Sequence, residues 1–306
     1  MTLHIETPLI ESAAMSTVPG QSVWLKMEAL QPTGSFKNRG IGFACEEYAR
    51  RGALRFIAAS GGNAGIAAAY AARRLGIPML VVVPETTSAR ALDLLRREGA
   101  EVIVHGASFQ EANAMATSMV GATDAFIHPF DDPLLWEGHA GMIDEVARAG
   151  VVPDAVVLSV GGGGLLCGVV AGLRRNGWGQ VPVIAVETEG ADSLAQSIAA
   201  GERIVLPRIA SLATSLGARQ VAQQAFSISS GHPLRSVVVS DAAAVDACIR
   251  FMDDHRVVVE PACGASLAVA YDAAAALKEF RNVLVIVCGG VTATVAQLRQ
   301  WAALPA

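Results

Sequence analysis

Lys37 lies in the run Gln31-Pro32-Thr33-Gly34-Ser35-Phe36-Lys37-Asn38-Arg39-Gly40, just before the apolar pattern Ile41-Gly42-Phe43-Ala44-Cys45. The Pro/Gly break and Ser35 as a cap predict a helix start there, with Lys37 in the first turn. The helix dipole disfavours a cation at that end. Lys37 is then either a solvated surface lysine or an amine whose pKa is lowered by the terminus and by burial. The second kind is a nucleophile for a carbonyl. This stretch alone leaves both readings open.

A second element of chemistry is the loop Ser159-Val160-Gly161-Gly162-Gly163-Gly164-Leu165. It follows the apolar run Ala155-Val156-Val157-Leu158 and leads into a Leu/Val/Ala/Gly pattern ending at Arg174-Arg175. Glycines let backbone approach a ligand closely, and the next helix aims free N–H groups at the same place. Strand, bare loop and helix N-terminus make a phosphate-sized anion site. The uncharged stretch 155–173 approaches membrane-spanning length, but four glycines at its middle argue against such a helix. A dinucleotide fingerprint would need a third glycine at Leu166, although Glu187 sits near the spacing of that fold's acidic residue. A nicotinamide-dependent oxidoreductase is therefore the rival from a different class.

These residues need a scaffold, and the hydrophobic pattern supplies one. Strands are predicted at Val23–Glu28, Phe56–Ala59, Met79–Val83, Glu101–Val104, Val156–Val160, Val183–Val186, Val237–Val239 and Val283–Val287. Helices are expected between them, one following the Ser60–Gly65 loop through Tyr70 to Arg74 and others at about 88–97, 110–120, 135–149, 165–175, 241–254 and 265–279. Such alternation implies an α/β fold whose parallel sheets are covered on both faces. Ser60-Gly61-Gly62-Asn63-Ala64-Gly65 and Cys288-Gly289-Gly290 also follow predicted strands, so all three glycine loops gather at carboxyl ends of strands. His128-Pro129-Phe130-Asp131-Asp132-Pro133 breaks the rhythm and marks a boundary. Turn chemistry accounts for its paired aspartates more simply than a metal.

The 306 residues suffice for a large core, with 52% hydrophobic and 17% charged residues. A net charge of −5 tells against nucleic acid as a partner. Five cysteines without a C-x-x-C pair argue against structural zinc or a disulfide framework. With no signal-peptide pattern at the N-terminus, a cytoplasmic protein is expected.

A phosphate cup beside a nucleophilic lysine asks for a small cofactor carrying a phosphate and a carbonyl, and pyridoxal 5′-phosphate carries both. Over essentially its whole length the sequence resembles the serine/threonine dehydratase family of pyridoxal-phosphate enzymes. The resemblance rests on Gln31–Lys37, Ser60–Gly65, Pro129–Pro133, Ser159–Leu165, Glu260-Pro261-Ala262-Cys263-Gly264-Ala265 and Val287–Gly290, in the family's order. It implies the two-domain, open parallel-sheet, tryptophan-synthase-β-like fold (fold type II). A large cofactor domain of residues 1–31 plus 132–306 and a small substrate-side domain of residues 32–131 would follow.

The resemblance also implies roles. Lys37 would carry the cofactor as a Schiff base and later remove the Cα proton. Phe36 would pack on the ring, and Gly161, Gly162, Gly163, Gly164 and Leu165 would bind the phosphate. Ser60, Gly61, Gly62 and Asn63 would hold the substrate carboxylate, Asn63 would also reach the ring hydroxyl, and Cys288 would face the pyridine nitrogen. Glu187, Ala191 and Leu216 would form a monovalent-cation site for K+ or another cation, although Glu187 alone reads equally as a surface carboxylate. His139, Trp136 and Glu137 are assigned to packing and polar satisfaction.

The implied reaction is β-elimination of L-serine to pyruvate and ammonia, with L-threonine to 2-oxobutyrate as a second activity. A threonine-preferring dehydratase, a serine racemase and a β-replacement enzyme are the near alternatives. A homodimer is implied by the resemblance alone, and no membrane partner is expected. The chain's length leaves no room for a C-terminal regulatory domain, so amino-acid feedback is not expected.

Overall fold

The computed structural model describes residues 2–16, 18–272 and 274–304. In chain order the elements are β1 (Leu9–Glu11), β2 (Ser22–Lys26), α1 (Lys37–Arg50), β3 (Arg55–Ala58), α2 (Asn63–Leu75), β4 (Met79–Val83), α3 (Ala89–Arg97), β5 (Glu101–Val104), α4 (Phe109–Ser118) and β6 (Asp124–Phe126). There follow α5 (Pro133–Arg148), β7 (Ala155–Ser159), α6 (Gly164–Arg175), β8 (Val183–Thr188), α7 (Ser193–Ala200), α8 (Gln223–Gly231), β9 (Leu234–Val239), α9 (Asp241–His255), α10 (Pro261–Asp272), α11 (Ala274–Leu277), β10 (Asn282–Ile286) and α12 (Val295–Ala302).

Two sheets result. One has the order β1-β2-β10-β7-β8-β9, the other β5-β4-β3-β6. Among the described residues every pairing of these strands is parallel except β1 on β2, so the parallel expectation gives way at that edge. β4, β7 and β8 are buried along their whole length, which is why β4 is an unbroken apolar run and β7 and β8 are apolar up to Ser159 and Glu187. Edge strands β5 and β9 are half exposed and carry Glu101 and Arg235.

Beneath α1 lies a buried group of four charges. Arg39, with no exposed surface, donates to both oxygens of Glu28 at 2.6 and 2.9 Å and to both oxygens of Glu145 at 2.6 Å. Lys26 pairs with the same Glu145 and donates to the Thr7 carbonyl at 2.6 Å. Two cations thus meet two carboxylates, each reached by the forked geometry that arginine provides. The cluster ties α1 to the end of β2 and to α5.

Candidate active site

Lys37 is the first residue of α1. Ser35 does not cap this helix: Phe36 already has helical angles (φ −53°, ψ −24°), and the Ser35 hydroxyl is buried without a partner. The segment is held from outside instead. Phe36 N–H donates to the Cys288 carbonyl at 3.0 Å and Gly290 N–H to the Gly34 carbonyl at 2.8 Å, flanking a Ser35–Gly289 bridge. Gly289 has φ +83°, and a Cβ there would lie 2.4 Å from the Gly34 oxygen, so glycine is required by both angle and space. This backbone zip seats the lysine beside the end of β10.

The Lys37 amine donates to the Pro129 carbonyl at 2.5 Å and stands 5.0 Å from the centre of the Phe36 ring. Burial lowers its pKa to about 8, against the opposing pull of Cys288 and Glu260. The same Pro129-Phe130 turn touches the glycine loop. A Cβ on Gly162 would meet the Phe130 ring at 2.3 Å, and one on Gly164 the Phe130 oxygen at 2.7 Å. A Cβ on Gly161 would lie 2.9 Å from Leu216 Cα, and Gly163 has φ +91° just before α6 begins. The loop is thus a bare cradle at a helix N-terminus, joined to the lysine through one turn.

The Ser60–Asn63 loop ends at the start of α2, where Gly62 is the N-cap and offers no side chain. Ser60 Oγ accepts from Gly62 N–H at 3.3 Å. The Asn63 side chain, expected to face the cofactor, has both ends of its amide bonded to protein. Nδ2 donates to Glu260 Oε1 at 2.7 Å, and Val291 N–H donates to Oδ1 at 3.1 Å. Cys288 closes the site from β10. Its thiol is pushed well above the usual range, first by the hydrogen bond with Cys263 and then by burial.

Glu187 is fully buried, which removes the surface-carboxylate reading. Its oxygens accept from Leu194 N–H at 2.8 Å and Ala195 N–H at 2.7 Å, at the head of α7. Burial nevertheless pushes its carboxyl up to about 7. Ala191 and Leu216 are buried as well, and the buried Ser193 hydroxyl, two residues after Ala191, has no partner. An orphaned hydroxyl and a carboxylate are hard oxygen donors of the kind a cation takes. Among the described residues no group of three His, Cys, Asp or Glu side chains could hold a metal ion.

Sequence reasoning gave no role to Glu260, Ser215 or the Pro129 carbonyl. The one available signal for Glu260 was an acid heading α10, whose first ten residues are all buried. His139 departs from the expected polar satisfaction. Both its ring nitrogens lack partners, and the ring packs 4.9 Å from Phe36. The space for it comes from Gly40 and Gly168, and burial keeps it neutral. Trp136 donates to the Phe130 carbonyl at 2.8 Å, and Glu137 pairs with Arg175 at the surface.

Residues 1–289 match the family described as pyridoxal-phosphate dependent enzyme. The chain is 47% identical to the L-serine dehydratase/L-threonine deaminase of Homo sapiens, covering 97% of this chain and 94% of that one. It is 48% identical to the serine dehydratase-like protein of Homo sapiens, covering 94% and 90%. A crystal structure of the L-serine ammonia-lyase of Rhizomucor miehei matches with a TM-score of 0.93 at 33% identity, covering 98% of both chains. Maize serine racemase matches at 0.87 and 27%, covering 97% of this chain and 91% of its own.

Proposed function

From the premise that the chain belongs to the family of pyridoxal-phosphate dependent enzymes, we propose that it is an ammonia-lyase acting on L-serine, and secondarily on L-threonine. L-serine gives pyruvate and ammonia, and L-threonine gives 2-oxobutyrate. The observation that carries this reading is the buried Lys37 amine at a helix start, 2.5 Å from the Pro129 carbonyl, whose turn packs against the glycine cradle.

When bound, pyridoxal phosphate supplies a carbonyl that captures amines and a ring that accepts electrons from Cα. Lys37 is the amine that would hold it, and the same amine, when free, would be placed to take the Cα proton. The N–H groups of Gly161–Leu165 and the start of α6 receive the phosphate, and Phe36 forms a wall beside the lysine. Ser60–Asn63 and the start of α2 receive the substrate carboxylate. Cys288, kept as a thiol, would offer a ring nitrogen only a weak hydrogen bond, which would suit an elimination.

Residues 32–131 form the substrate side in this reading, with 1–31 and 132–306 carrying the cofactor. Glu187, Ala191, Leu216 and the orphaned Ser193 hydroxyl hold K+ or a similar cation. Five free, buried cysteines fit a reducing, cytoplasmic setting. Among the described residues no helix is long and apolar enough to cross a membrane. A homodimer is the assembly to test by scattering. The function itself is tested by the visible absorbance of the purified holoprotein, followed by a pyruvate assay with L-serine, L-threonine and their D-forms. A cofactor-loaded protein that releases no 2-oxo acid overturns it.

A further inference from the structure

Glu260 is buried close to Lys37, 3% exposed, and among the described residues no salt bridge reaches it. Its partners are neutral donors from separate segments. Asn63 Nδ2 donates to Oε1 at 2.7 Å and Thr292 Oγ1 to Oε2 at 2.6 Å, and the Ser215 hydroxyl bonds to it too. The carboxyl lies in the notch left by Gly290, where a Cβ would come 2.0 Å from Glu260 Cδ. Burying an acid this way is costly, and an apolar side chain would fill the space more cheaply. What only a carboxylate of this length offers is acceptance at both oxygens. A glutamine in its place would turn an NH2 group towards one of the donors.

The geometry is also directional. Asn63 heads α2, on the side of the four-stranded sheet, whereas Glu260 and Thr292 belong to segments flanking β10 of the six-stranded sheet. With Nδ2 on Glu260 and Oδ1 on Val291 N–H, the Asn63 amide has one orientation and the loop before it one position. We propose that Glu260 is a positioning residue for substrate: through Asn63 it holds the Ser60–Asn63 loop where its N–H groups receive the substrate's carboxylate. This rests on the carboxylate-binding role given to that loop above.

The test compares holoprotein of the wild type with Glu260→Gln and Thr292→Val. L-alanine, which has an amino-acid carboxylate but no leaving group, is titrated by the change it causes in the cofactor spectrum. KM and kcat for L-serine are measured alongside. Glu260→Gln is expected to keep the cofactor band, to weaken L-alanine binding about tenfold or more and to raise KM in step, with a smaller change in kcat. Thr292→Val, which removes one donor, should shift both in the same direction by about two- to fivefold. Unchanged L-alanine affinity in Glu260→Gln overturns the proposal, as does a loss confined to thermal stability. If Glu260→Gln does not fold, unchanged affinity in Thr292→Val overturns it. L-alanine binding needs no turnover, so a wild type that binds it yet releases no pyruvate refutes the lyase reading without touching this one.

Discussion

The Lys37 amine rests on the carbonyl oxygen of Pro129, 92 residues further along the chain. A donor parked on a carbonyl is held in place without being neutralised by a carboxylate. Burial then sets its pKa at about 8, so the neutral amine becomes scarce below that value. Capture of pyridoxal phosphate by apoprotein is expected to slow by about tenfold for each pH unit below about 8, and to level off above it. Stopped-flow absorbance gives the profile, and a rate flat across neutral pH would contradict it. Lys37→Ala should lose the visible band and at least ~10³-fold in activity.

Gly61 makes a prediction about stereochemistry. In the proposed site Gly61 would face the substrate across from Lys37 with no side chain to return a proton, so L-serine should be eliminated with negligible D-serine formed. Gly61→Ser should gain D-serine turnover at the expense of elimination. Its φ is not in the left-handed region, so backbone strain plays no part. The new Cβ meets Thr87 Cγ2 at 2.8 Å and Val83 at 3.3 Å, an overpacking worth about 1–3 kcal/mol of stability. Chiral chromatography of the products decides the matter. D-serine from the wild type would overturn the one-face reading and favour the racemase alternative.

Arg39 should dominate stability among the charged residues. Arg39→Met leaves Glu28 and Glu145 buried with Lys26 alone, and a loss of about 3–5 kcal/mol is expected from denaturant melts. The acid limb follows from Glu145. Burial works to raise its pKa, but the bonds from Arg39 and Lys26 outweigh it and leave the carboxyl below its usual 4.5. The stability it contributes is therefore fully present above 4.5 and is lost as pH falls through the lower folded value. In Arg39→Met that limb should shift to higher pH.

The cation site gives a thermal signature. At constant ionic strength, KCl in place of tetramethylammonium chloride should raise the Tm by at least about 2 °C. Glu187→Gln and Ser193→Ala should each remove most of that difference. An equal melt in both salts for the wild type would dismiss the site.

The sequence carried the regular scaffold well because parallel sheets demand continuous apolar runs. Met79–Val83 and Glu101–Val104 are strands over those very residues, and α3, α5, α6 and α9 lie within a few residues of expectation. What periodicity could not carry were the three-residue strands β1 and β6, too short to repeat, and α7, α8 and α12. At the site, the local stretch left Lys37 open between a solvated and a buried amine, and the fold decides for burial. Glu260 was not legible, since its meaning lies in donors from residues 63, 215 and 292, which only the folded chain assembles. Ser35 misled for a related reason: a bridge to Gly289 decides where α1 begins, not the cap chemistry of its own neighbours.

The zip between Gly34–Phe36 and Cys288–Gly290 sets an order of events in biosynthesis. The lysine emerges from the ribosome early, but the backbone that seats it emerges after some 250 further residues. β2 likewise waits for β10 as its parallel neighbour, so the centre of the larger sheet joins distant parts of the chain. Contacts of such long sequence separation form late and slowly. Cofactor absorbance in a nascent or refolding chain is thus a clock for the last step of folding, and a chain halted before Cys288 should remain colourless however much of its sheet has formed.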